Sequence, residues 1–196
     1  MKIGIVALSF GKMSRHARFD IINYRLSTYT AAAHELVTAK RPLGQGDEAQ
    51  CTSNMQAVIV AQHEIACYLN TYHDFDVRVV TNAHATPKGN GLLYLDTQDV
   101  INEAFRVFRS EDVREVIVVA HPFLHAWLTR RLITQMGFIT HDFRVDRHIG
   151  FDSSRDNLQW WCRGRLRFLA YLAIQVAGKA VGKDLHGIGE RHESSV

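Results

Sequence analysis

Two histidines, His121 and His125, stand four residues apart directly after the apolar run Val116, Ile117, Val118, Val119 and Ala120, with Pro122 between them. An imidazole so placed can move a proton near neutral pH, bind an anion or ligate a metal. If both residues were helical, the spacing would put the two rings on one face, as it does for paired metal ligands. Pro122, however, suits the first position of a helix, which leaves His121 just outside it. The pair then lines a crevice beside the open N–H groups of a helix start, an arrangement suited to an anion. Each ring also has a plainer role open to it, as a cap or a packing group. A metal centre would need a third ligand, with His84, Asp96 or His148 as candidates. No tight metal-binding spacing accompanies them, and no metal is expected.

Further groups fall where neighbouring elements begin or end. Ser9, Phe10, Gly11 and Lys12 follow the first apolar run. They match neither dinucleotide-binding nor phosphate-loop glycine spacing, but Ser9 and Gly11 would let backbone approach a ligand. A tight turn that needs glycine explains them equally well. Gln62 and Glu64 close the second run and open the next helix, and Thr97 and Asp99 open another. At a helix start a carboxylate is favourable on electrostatic grounds alone, so capping competes with function at Glu64 and Asp99. Arg130, one turn beyond the histidines, can clamp an anion.

These groups need a frame, and the chain supplies one. Residues 3–8, 57–61, 77–81 and 116–120 read as strands, although 57–61 with Met55 could also begin a helix, and 143–146 reads as a weaker fifth. Between them 26–39, 64–72, 97–108 and 125–136 have helical spacing. In the third of these Val100, Ile101, Ala104, Val107 and Phe108 share one face, and Asp96 or Thr97 can cap it. Alternating strands and helices predict a Rossmann-like three-layer α/β sandwich with a mainly parallel sheet of about five strands. All carboxyl ends of the strands then share one rim, where ligands of such sheets bind. The segments 41–50 and 82–94 are longer than the architecture requires and carry Pro and Gly. A long C-terminal helix over 155–183 would carry Leu158, Cys162, Leu166, Leu169, Ala173, Val176 and Ala180 on one stripe. A single domain over 1–183 is expected, with a disordered tail over 184–196.

At 196 residues and 46% hydrophobic, the chain has enough material for one ordinary core. A net charge of +3 spread over scattered arginines is not the basic stripe of a nucleic-acid binder. Three cysteines, Cys51, Cys67 and Cys162, cannot all pair and suit free thiols in a reducing cytoplasm. The first apolar run lacks the cleavage signature of a signal peptide and reads instead as a buried strand.

The order of these segments resembles the YdcF/SanA/ElyC-like proteins, the family called domain of unknown function 218. The first strand through Gly11 is similar to the family's first element, and Arg25, Leu26, Ala32, Ala33 and Leu36 look like its first helix. The run Val58–Glu64 resembles the second strand with its acidic helix opening, and Leu95–Asp99 the family's Thr-x-Glu-Asn segment. The run Val118–His125 with Arg130 resembles the strand that ends near Pro-Tyr-His. The chain departs from the pattern in three places. Gln62 and His63 stand where glycines cluster, Val100 replaces the family Asn, and His121 and His125 compete for one role. The resemblance implies a Rossmann-like domain with a polar crevice and an activity that is still undefined.

The function expected is therefore that of a small-molecule enzyme or binder, with a nucleotide-like or anionic ligand on the carboxyl rim. S-adenosylmethionine is one candidate ligand. His121 or His125 would serve as acid/base or anion contact, Glu64 as base or ligand orienter, and Arg130 as clamp. Ser9, Gly11, Gln62, Thr97 and Asp99 would complete the binding set. One alternative is a non-catalytic protein that docks on a membrane or partner through Trp160, Trp161, Arg163, Arg165, Arg167 and Phe168. For that segment, packing on the sheet with a solvated basic face is preferred. The other alternative is a metal-dependent hydrolase.

Overall fold

In the computed structural model, which describes residues 1–11, 20–39, 55–85, 95–146, 149–153 and 157–180, five parallel strands form one sheet. The strands are β1 (Lys2–Ala7), β2 (Gln56–Gln62), β3 (Val77–Val80), β4 (Glu115–Val119) and β5 (Ile139–His141). The helices are α1 (Ile21–Thr38), α2 (His63–Tyr72), α3 (Thr97–Ser110), α4 (His125–Gln135) and α5 (Arg165–Ala180). The expected segment 41–50, most of 82–94, residue His148 and the tail lie outside the described residues.

Strand order is β3-β2-β1-β4-β5. The central strand is β1, in register with β2 from Lys2↔Gln56 to Ala7↔Ala61 and with β4 from Ile3↔Glu115 to Ala7↔Val119. Strands covered on both faces must be apolar in every direction, and Ile5, Val6, Ala7, Val60, Ala61, Val116 and Val119 are accordingly sealed from solvent. Ile5, Ala7, Ile59, Ile117 and Val119 meet α1 and α2 on one face, and α5 joins the same cluster through Phe168 and Tyr171. Val6, Leu8, Val60, Val80 and Val118 meet α3 and α4 on the other, which completes the three layers. Gly4 is needed within β1, because a Cβ there would lie 2.8 Å from the Phe108 ring of α3.

The four longer strands and the helices α2–α4 form where the sequence pattern places them, to within a few residues at each end, whereas α1 begins five residues earlier than expected, at Ile21 rather than Leu26. Three further local expectations are corrected. The fifth strand is Ile139–His141, not 143–146, because Glu115, Val116 and Ile117 of β4 pair with those three residues. Pro122 is not at the first position of α4. The chain makes a further turn, with Leu124 at φ 58°, and the helix starts at His125.

The C-terminal stretch is not one long helix. A short 3-10 turn, Trp160–Arg163, is separated from α5 by Gly164 in an extended conformation. The expected stripe is divided with it: Leu158 and Cys162 are buried, whereas Leu166, Leu169 and Val176 face out. Phe168, Tyr171 and Gln175 pack inward in their place. No helix among the described residues is long and apolar enough to cross a membrane.

Candidate functional site

The sheet order reverses between β1 and β4, since the chain winds from β1 out to β3 and then returns to β1's other side. Loops leaving two such strands diverge and open a crevice at their carboxyl ends. The turn after β1 lies at this point. Leu8 N–H extends the pairing by donating to Val119 O at 2.9 Å, after which Ser9, Phe10 and Gly11 leave the sheet.

This turn is held by a side chain that the sequence did not single out. Asn23 of α1, wholly buried, accepts from Phe10 N–H at 2.8 Å and donates to Gly11 O at 3.2 Å and Asp20 Oδ2 at 2.7 Å. Asp20 in turn caps α1, its Oδ1 accepting from Asn23 N–H at 3.0 Å. Burial is the main cause raising the Asp20 carboxyl above its ordinary value, and Asp152 adds to it. Gly11 sits at φ +94°, and a Cβ on it would lie 2.7 Å from Nδ2 of buried Asn157. Asp is a favoured N-cap residue, a signal that could have marked Asp20 as the start of α1, whereas Asn23 and Asn157 carry no local signal.

Ser9 and Gln62 are brought together: Ser9 N–H donates to Gln62 Oε1 at 3.1 Å, which ties the β1 turn to the end of β2. Glu64 is the second residue of α2, where the helix dipole favours a carboxylate. Its charge also helps to raise the nearby Cys67 thiol, for which burial is the larger cause.

His121, just after β4, is 2% exposed and stacks on Phe10 with ring centroids 3.8 Å apart. Its Nε2 bonds the carbonyl of Gly150, and its Nδ1 accepts from Phe123 N–H at 3.3 Å. Both nitrogens are thus committed, and the partners fix the tautomer: Nε2 carries the hydrogen and Nδ1 does not. Burial, reinforced by Arg165 and resisted by the Gly150 bond, holds the ring down to about 4, so it is neutral at pH 7.

His125 differs. As the first residue of α4, it places Nε2 3.2 Å from Oγ1 of Thr97, the first residue of α3. Its Nδ1 is shielded from solvent and, among the described residues, has no hydrogen-bond partner. Burial, helped by His121, holds this ring too to about 4. Two more shielded polar atoms without a partner lie on the same helix, Thr129 Oγ1 one turn on and Arg130 Nε. An unmet buried polar atom costs about 1–3 kcal/mol, and a native fold keeps few without a reason.

Two of the expected residues are occupied elsewhere. Arg130 directs Nη1 to Asp142 Oδ1 at 2.6 Å, an ion pair at the edge of the sheet. Asp99 accepts from Asp96 N–H at 3.2 Å while Asp96 Oδ1 accepts from Asp99 N–H at 2.9 Å, a reciprocal cap on α3. Among the described residues no three His, Cys, Asp or Glu side chains stand close enough to share a metal ion. Cys67 is an exposed free thiol, and the buried Cys162 directs its Sγ to Gln159 Oε1 at 3.6 Å.

No family model, curated protein or solved structure matches the chain. The fold therefore stands on its own strand order, and the site on its own geometry.

Proposed function

We propose that this chain is a small-molecule enzyme or binder of the YdcF-like type, holding a nucleotide-like or anionic ligand at the β1/β4 rim with His125 as its contact. The observation that carries the proposal is the shielded, partnerless Nδ1 of His125 beside the point where the sheet order reverses. With the Thr97 hydroxyl donating to Nε2, Nδ1 bears the hydrogen and offers it to a ligand oxygen. A ring held near 4 is a weak base at pH 7, so donating this bond suits it better than abstracting a proton. The start of α4 has neither a side-chain cap nor an acidic residue in its first turn, but its first two N–H groups, of His125 and Ala126, already donate to Phe123 O at 2.7 Å and His121 O at 3.1 Å, so the reading rests on the ring of His125 rather than on the helix start. His121 is a positioning residue in this scheme. It fixes Phe10 and the Gly150 segment around the crevice, and its own nitrogens are spent.

The test is the melting temperature of the purified chain against nucleotides, S-adenosylmethionine, sugar phosphates and inorganic phosphate. A ligand at about 100 times its Kd stabilises by about 2.7 kcal/mol, or roughly 5–10 °C for a chain of this size. A shift with one anionic class that His125→Ala abolishes, at unchanged far-UV circular dichroism, is the expected result. A flat panel, or a shift that His125→Ala leaves intact, would overturn the assignment.

A further inference from the structure

The outward face of α5 is a surface that neither the core nor the crevice uses. Leu166 is 82% exposed, Leu169 44% and Val176 70%, and Ala170, Ala173, Ala177 and Ala180 are exposed with them. The positions 166, 169, 173, 176 and 180 advance by three and four residues in turn, so they form one apolar seam along the helix. The opposite face is anchored. Phe168 packs against Phe10 at 5.6 Å and Phe123 at 6.0 Å between ring centroids, and Tyr171 stacks on Trp161 at 4.4 Å. The seam is thus already formed on a helix whose other face is packed, and an occupant would not have to fold it first.

From this geometry we infer that α5 docks the protein on an anionic membrane surface. Charge chooses the occupant. The helix contains no Asp or Glu, and Arg165 and Arg167 are exposed in its first turn. Cations are unfavourable at that end of a helix dipole, so local helix stability does not account for them. Arg165 is aligned by the Phe123 ring, 5.7 Å from its centroid. A second copy of this seam would bring only like charges to the pairing, whereas anionic headgroups would neutralise them. Over its 16 described residues the helix runs about 24 Å, and no helix among the described residues is long and apolar enough to cross a membrane, so α5 is taken to lie in the interface with its Leu and Val side chains inserted.

Co-sedimentation of the full chain with phosphatidylcholine vesicles, with and without phosphatidylglycerol, tests this. Binding is expected only when phosphatidylglycerol is present. It should weaken as salt rises from about 0.1 M to about 1 M, which shortens the Debye length from about 10 Å to about 3 Å. Leu166→Ser with Leu169→Ser and Val176→Ser should lower partitioning at least roughly tenfold. Arg165→Gln with Arg167→Gln removes both charges and keeps the apolar seam, should weaken binding as well, and carries the test if the triple variant does not fold. Absence of binding to anionic vesicles, or binding that both sets of substitutions leave unchanged, would overturn the proposal. So would a dimer in sedimentation equilibrium that the triple variant dissolves, since the face would then belong to a second copy.

Discussion

Taking the protein from about pH 7 to about pH 5 should remove about 3–4 kcal/mol of folding stability, most of it through two rings. Burial holds His121 and His125 to about 4 in the native chain, against an ordinary value of 6.5. Between those two values the unfolded chain binds protons that the folded chain refuses, so stability rises with pH across this window and is lost on acidification. At about pH 7 the linkage penalty is about 0.2 kcal/mol per ring. At about pH 5, with the unfolded imidazole almost fully charged and the buried one about nine-tenths neutral, it is about 2 kcal/mol per ring. His34, also lowered by burial, pulls the same way. Asp20, raised by burial, pulls the other, because its native carboxyl takes up a proton before the unfolded one does. Urea unfolding followed by far-UV circular dichroism at the two pH values measures the difference directly. His121→Gln removes one of the two rings and should cut the pH-dependent loss to about half. Unfolding free energies that agree within about 0.5 kcal/mol at both pH values would refute the reasoning, as would imidazole resonances of both rings titrating near their ordinary value.

Two glycines should respond in opposite directions to the same substitution. Gly11→Ala forces a left-handed backbone on a residue with a Cβ, at about 1–2 kcal/mol, and also drives that Cβ toward Asn157; a loss of at least about 2 kcal/mol in chemical denaturation is expected, and a neutral result would show that the β1 turn adapts. Gly164→Ala meets nothing within 4 Å in an extended backbone, so restricting the unfolded chain should stabilise by about 0.4–1 kcal/mol; a loss of stability would mean that the break before α5 needs glycine itself.

The sequence by itself determined the strands and helices whose signals are local. Val116–Val119 and Ile3–Ala7 read as interior strands, since continuous β-branched and apolar runs have no solvent face to offer. Asp96 and Asp99 marked the start of α3 because a capping box is complete within four residues. Rim location for Ser9, Gln62, Thr97, His121 and His125 followed from strand-to-helix order alone. Tertiary structure decided what those side chains do. Gly150 is 29 residues from His121 in sequence and Thr97 is 28 from His125, so no local pattern could show that one ring is fully committed while the other keeps a nitrogen free. The short β5 was misplaced for a related reason: three residues carry little periodicity, and the free edge of β4 selected them. The α5 stripe shows the limit most plainly. Spacing revealed that its apolar residues share a face, but which face turns inward depends on what the rest of the chain presents, and Phe10, Phe123 and Trp161 drew Phe168 and Tyr171 to the core.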